Sequence, residues 1–179
     1  ADHCLIGGGI ANTFLHAQGF DIGESLCEKD MAEKAKKILQ KNFEIPSDAI
    51  IADKPSNEAE TEIIQLNSSK KIPSDKKIFD IGPETIEKFT KIIHASKTVF
   101  WNGPMGMTEF TPFQKGTYEI AKAITETECT SVIGGGDSSE IIKQLGFSEE
   151  QFTHISTGGG ASLEFLSGKE LPGIKILYE

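Results

Sequence analysis

One unit recurs along this chain and limits what it can fold into: a short apolar run, a glycine-rich turn, then apolar residues at helical spacing. Its clearest copy is the stretch from Ser131 to Glu140. Val132 and Ile133 lead into Gly134-Gly135-Gly136, then Asp137, Ser138 and Ser139, and the periodic set Ile141, Ile142 and Leu145 follows. The order predicts strand, turn and helix, with Ser138 or Ser139 as the helix cap. Glycines in such a turn permit positive φ and let backbone N–H groups approach a ligand closely. The free N–H groups that open a helix also favour a phosphate. Asp137 stands where a hard divalent cation held by the same phosphates could take an oxygen ligand.

Related units begin at Gly7, Gly82, Gly103 and Gly158. Cys4-Leu5-Ile6 runs into Gly7-Gly8-Gly9, with Ile10, Ala11, Phe14 and Leu15 beyond. Ile78 to Ile81 ends at Gly82-Pro83, and Pro83 suits the first turn of a helix carrying Ile86, Phe89, Ile92 and Ile93. Thr98 to Trp101 stops at Asn102-Gly103-Pro104-Met105-Gly106, ahead of a helix from Tyr118 to Ile124. Thr153 to Thr157 meets Gly158-Gly159-Gly160, with Ala161, Leu163, Phe165 and Leu166 after it. Between these units lie a helix begun near Asp30, with Met31, Ala35, Ile38 and Leu39 on one face, and strands at Ala49–Ala52 and Glu62–Leu66. A polar loop from Asn67 to Lys77 is expected to pack little. Strands separated by helices imply right-handed crossovers and an α/β, three-layer α/β/α fold with a mostly parallel sheet. The strand-to-helix turns of such a sheet lie along one edge, where ligands bind, so the pattern points to a phosphate or nucleotide.

Length and charge narrow the reading. The 179 residues are enough for one sizeable core. A formal charge of −9, from 27 acids against 18 bases, offers no global attraction to nucleic acid or an anionic membrane. An anionic ligand therefore needs local help from backbone N–H groups or a cation. Cys4, Cys27 and Cys129 form no CxxC pair and fit free thiols in a reducing compartment, so the cytoplasm is expected. No apolar run reaches membrane length. The chain opens on an expected strand without an initiating methionine, and a missing upstream segment is expected.

GxxxxGK[ST], the protein-kinase set, HExxH and GxSxG are all absent, and Gly7 to Asn12 is not GxGxxG. The turns that are present resemble, as a set, those of the phosphoglycerate kinases. Gly7-Gly8-Gly9-Ile10-Ala11, Asp80-Ile81-Gly82-Pro83, Trp101-Asn102-Gly103-Pro104-Met105-Gly106, Gly134-Gly135-Gly136-Asp137-Ser138 and Ser156 to Glu164 match that family's C-terminal half in order and spacing. The ending Gly168 to Gly173 matches too, so the resemblance covers essentially the whole chain.

The resemblance implies a Rossmann-like nucleotide-binding lobe, residues 1–179, of a two-lobed glycolytic kinase. Such an enzyme transfers phosphate reversibly between 1,3-bisphosphoglycerate and ADP, giving 3-phosphoglycerate and ATP. Gly135, Gly136, Asp137 and Ser138 match the family's GGDT phosphate loop, with Asp137 on Mg2+ and serine for threonine. Glu109 matches the acid on the ribose hydroxyls. Gly7, Gly8, Gly9 and Phe79 match the adenine side, Met107 can line an apolar adenine slot, and Asn102 lies near the triphosphate. Thr108 replaces an aromatic of the family's GVFE, which alters that wall. Gly136, Gly158 and Gly159 would face the transferring phosphoryl group as the catalytic set. The family's upstream lysine-bearing loop and its N-terminal lobe with a basic patch for phosphoglycerate are not in this sequence. The chain alone is therefore expected to bind nucleotide without kinase activity, and the full-length enzyme to be monomeric. Apolar surface from Ser162 onward is expected to face the missing lobe.

A second class stays open: a non-catalytic nucleotide- or phosphate-binding module on the same fold edge. His154 in its apolar strand reads as a structural histidine, and Trp101 as core. Glu58, Glu60 and Glu62 read as a solvated edge, and the lysines from Lys34 to Lys41 as a solvated helix face.

Overall fold

The computed structural model describes residues 1–39, 42–67, 71–156, 158 and 160–176. Strand β1 (Cys4–Leu5) leads into helix α1 (Gly8–Ala17) and pairs in parallel with β2 (Phe43–Glu44). Helix α2 (Ala32–Ile38) follows a 3-10 turn at Lys29–Met31 and packs on α1. At seven residues it makes barely two turns, so it buries Ala35 while Ile38 stays exposed, a narrower face than the sequence pattern implies.

β3 (Asp48–Ala52) is the centre of a three-stranded sheet, with β4 (Glu62–Gln65) and β5 (Lys77–Ile81) antiparallel on its two sides. β6 (Thr98–Asn102), β7 (Thr130–Gly134) and β8 (His154–Ser156) form a parallel sheet in that order. Helix α3 (Pro83–His94) connects the two sheets, and α4 (Lys115–Thr125) and α5 (Gly136–Gln144) are the crossovers of the parallel one. α6 (Gly160–Leu166) and α7 (Pro172–Lys175) follow β8. The result is a Rossmann-like α/β fold of parallel strands with flanking helices. The antiparallel triplet arises because, among the described residues, no helix separates β3 from β4 or β4 from β5. Without a crossover the chain cannot return to pair in the same direction.

Two apolar clusters hold these layers. Phe89 and Ile93 of α3, Ile120 and Ile124 of α4, Trp101 and Ile133 of the parallel sheet, and Ile142 of α5 form the larger one. Leu15, Ile22, Ala49, Ile51 and Ile64 form the second. Ile72 joins it at 4% exposure, so residues 71–77 of the polar loop pack more than their composition implies, while residues 68–70 of that loop lie outside the described residues. One isoleucine seats residues 71–77, and the Glu24 N–H donates to the Lys76 carbonyl at 3.3 Å. Trp101 is core as expected, with Nε1 donating to the Gly103 carbonyl at 2.7 Å. His154 is exposed at the start of β8, which corrects the structural role expected for it.

The Gly82 turn has an internal explanation. Asp48 is fully buried, and its carboxylate accepts from the Glu84 and Thr85 N–H groups at 3.0 and 2.8 Å and from the Thr85 hydroxyl at 2.7 Å. It thereby caps α3 from a neighbouring strand, doing the work of an N-cap side chain. A Cβ on residue 82 would overlap that carboxylate, so glycine there serves packing rather than a ligand.

Candidate functional site

The carboxyl ends of the parallel strands are in register. Asn102 of β6 sits beside Gly134 of β7, and Gly134 beside Ser156 of β8. The turns after the three strands therefore start from one row, as the sheet geometry requires for a ligand edge.

The first group of expected residues lines a single cavity of about 610 Å³. Gly7, Gly8 and Gly9 enter from the start of α1, Phe79 from β5 and Asn102 from the end of β6. Met107 and Glu109 come from the segment before α4. The close approach of α1 to the β6 turn explains its glycines. The Gly8 N–H donates to the Met105 carbonyl at 3.0 Å, φ of Gly8 is +59°, and a Cβ on residue 7 would overlap the Met105 sulfur. On the opposite wall the Met107 N–H donates to the Phe79 carbonyl at 2.9 Å, and the Phe79 ring lies against Phe113, centroids 4.8 Å apart. The cavity thus has an aromatic, a thioether and glycine backbone for walls, with Glu109 exposed at its rim.

The second group surrounds the start of α5. The helix begins at Gly136 with Gly135 at the N-cap, φ +95°, so the backbone turn replaces the serine cap expected from the sequence. Asp137 and Gly136 are exposed in the first turn. Ser138 is 3% exposed, and its Oγ accepts from the Gly103 N–H at 3.1 Å. Asn102 leans over the same turn: its Nδ2 lies 3.1 Å from where a Cβ of residue 134 would stand and 3.3 Å from that of residue 135. Asn102 and Ser138 therefore join the cavity to the glycine turn. On the far side Gly158 is exposed and its N–H donates to Ser156 Oγ at 3.3 Å, while Ser156 Oγ meets Ser162 Oγ at 2.7 Å. Gly159 lies outside the described residues.

Several lining residues were not singled out by sequence reasoning, among them Asn12, Leu26 and Lys77. Lys77 could not be placed beside Phe79 by simple alternation, because β5 shifts register against β3 at Phe79. Asp80 is 2% exposed, and it accepts from the Gly116 N–H at 2.7 Å and from the Ile81 N–H at 2.8 Å. Burial pushes its carboxyl up to about 7, against those two backbone bonds, which favour the charged form. Thr117, fully buried, accepts from the Met105 and Gly106 N–H groups at 3.0 and 3.4 Å. Asp80 and Thr117 together anchor the segment that carries Met107 and Glu109.

Among the described residues no group of three or more His, Cys, Asp or Glu is arranged to hold a metal ion. An exposed carboxylate on a phosphate-type turn still suits Mg2+, which takes one or two carboxylates and completes its shell with substrate phosphates and water. No described helix is long and apolar enough to cross a membrane.

Comparison with known proteins gives the family of the chain. The family model for phosphoglycerate kinase matches residues 1–169. Phosphoglycerate kinase of Rhodococcus erythropolis is 50% identical over 182 residues, covering 98% of this chain and 44% of that protein. The enzyme of Staphylococcus epidermidis is 51% identical over 183 residues, covering 100% of this chain and 45% of its own length. The structure of phosphoglycerate kinase from Coxiella burnetii superposes with a TM-score of 0.92 at 38% identity, over 99% of this chain and 46% of that one. The crystal structure from Pyrococcus horikoshii gives 0.85 at 35% identity, over 99% and 45%. The chain spans a little under half the length of these relatives. By its sequence, its fold and the glycine turns along one sheet edge, the chain belongs to the phosphoglycerate kinase family.

Proposed function

We propose that residues 1–179 are the nucleotide-binding lobe of a phosphoglycerate kinase. The whole enzyme would transfer phosphate reversibly between 1,3-bisphosphoglycerate and ADP, giving 3-phosphoglycerate and ATP. The observation that carries the reading is the join between an apolar cavity and a glycine-rich helix start, made by Ser138 on Gly103 and by Asn102 over Gly134. A nucleotide needs both in that order: an apolar slot for the base and N–H groups for the phosphates.

In this reading Phe79, Met107 and the Gly7-Gly8-Gly9 backbone take the adenine, and Glu109 takes the ribose hydroxyls. Asn102, Gly135, Gly136 and Ser138 attend the phosphates. Asp137 would hold Mg2+, which when bound neutralises phosphate charge and orients the chain of phosphates. Phosphoryl transfer asks little covalent participation of a protein, so positioning and fixed positive dipoles do most of the work. Gly136, Gly158 and Gly159 would present backbone N–H groups to the moving phosphoryl group. The phosphoglycerate is assigned to the part of the relatives' length that this chain does not span, so the chain alone binds nucleotide without turnover. A cytoplasmic location and a monomeric full-length enzyme belong to the same reading.

Titration calorimetry of the chain with Mg·ADP, repeated on Asp137→Ala, tests it. Magnesium-dependent binding that the substitution weakens supports the assignment. Binding that is indifferent to both magnesium and Asp137 overturns it.

A further inference from the structure

Asn12 is a polar residue in the buried face of α1, 3% exposed, and it lines the cavity. Its Nδ2 donates to the Leu26 carbonyl at 3.1 Å, and its Oδ1 is a buried side-chain atom without a hydrogen-bond partner. Leaving a buried acceptor unmet costs stability, so a purely structural position would favour an aliphatic side chain of the same size. The amide is thus a poor packing choice and a specific donor. What it holds is unusual too. Leu26 is a large apolar side chain left 78% exposed at the cavity, with Cδ2 3.4 Å from where a Cβ of Gly9 would stand.

The backbone around Leu26 is fixed from both sides. Before it, Ser25 Oγ accepts from the Ile78 N–H at 2.8 Å, which ties it to β5. After it, the Glu28 N–H donates to Thr13 Oγ1 at 3.1 Å, which ties it to α1. Asn12 supplies the bond to Leu26 itself. An exposed leucine on a rigid backbone at the mouth of an apolar cavity gains burial only when a flat apolar group enters.

We propose that Asn12 is a positioning residue for the nucleobase: through Nδ2 it sets the height at which Leu26 closes the cavity over the base. The proposal rests on the nucleotide reading above. It acts on the base end of the ligand, away from Asp137.

A double-mutant cycle between residues 12 and 26, read as the Kd of Mg·ADP on the 179-residue chain, is the test. Asn12→Leu weakens binding about fivefold when Leu26 is present and leaves it unchanged in a Leu26→Ala background. Equal losses in both backgrounds would show that Asn12 acts on folding or packing alone and would overturn the proposal. Should Asn12→Leu not fold by circular dichroism, Asn12→Asp removes the donor at constant size and is read in the same cycle. A wild-type chain that binds no Mg·ADP overturns the nucleotide reading of this cavity and the proposal with it. Binding with additive mutants overturns only the proposal.

Discussion

Ser138, in the first turn of α5, accepts the N–H of Gly103, the residue after β6, at 3.1 Å. The hydroxyl sits at N3 of a helix whose N-cap is glycine, so it points outward to the neighbouring turn instead of closing its own. A side chain expected as a local cap is instead the tie between two glycine turns.

Ser138→Ala leaves the Gly103 N–H without that acceptor in a largely buried spot. The expected cost is about 1–2 kcal/mol of stability, with a several-fold loss in Mg·ADP affinity. Urea unfolding and calorimetry on the same variant check both. Unchanged nucleotide affinity would show that the tie does not shape the site.

Asp137 is exposed, so in the proposed site its removal is expected to act on the ligand more than on the fold. Asp137→Ala is expected to leave the unfolding midpoint within error of the parent while Mg·ADP affinity falls at least about tenfold. A lowered midpoint with intact affinity would contradict the assignment.

Asp80 gives a pH dependence with a defined sign. Its folded-state pKa stands at about 7 against 3.8 for the free group, so the fold prefers the protonated form. Its stability contribution is full below about 4 and is lost as pH rises through 7, a difference of roughly 4 kcal/mol at most. Thermal midpoints from pH 4 to 8 should fall with rising pH by more in the parent than in Asp80→Asn. Parallel curves would remove Asp80 as the cause.

Asp48 carries three bonds into the start of α3 from full burial. Asp48→Ala strips the helix of that cap and leaves a void against Gly82. The expected loss is about 3 kcal/mol, seen as a shift of the urea midpoint. A loss near zero would mean water replaces the carboxylate without penalty.

Much of the parallel half was legible in the sequence, because β6, β7 and the helices after them announce themselves by apolar runs, glycines and helical spacing. Gly7, Phe79, Met107 and Glu109, which the family resemblance assigned to the nucleotide, line one cavity. Strand order around β3 was not legible, since pairing depends on partners distant in sequence, although the lack of a predicted helix between these strands already implied their antiparallel direction. Nor was the reason for Gly82, whose neighbour Asp48 lies 34 positions upstream. The roles of Asn12 and Asp80 escaped because a buried polar residue looks, in sequence, like any exposed one. Only the fold shows what each is bonded to.

The row formed by Asn102, Gly134 and Ser156 has a consequence for which lengths of chain can change. Removing or adding one residue within β7 would slide its turn by about 3.3 Å against both neighbours and turn Ile133 out of the core. The polar stretch from Asp53 to Thr61 lies outside the strand register and is tied to the turn before α4 through the Thr111 N–H, which donates to Asn57 Oδ1 at 2.9 Å. Insertions that drift through this family should therefore collect between the strands of the antiparallel sheet, while the three parallel strands keep their count of residues like teeth on a gear.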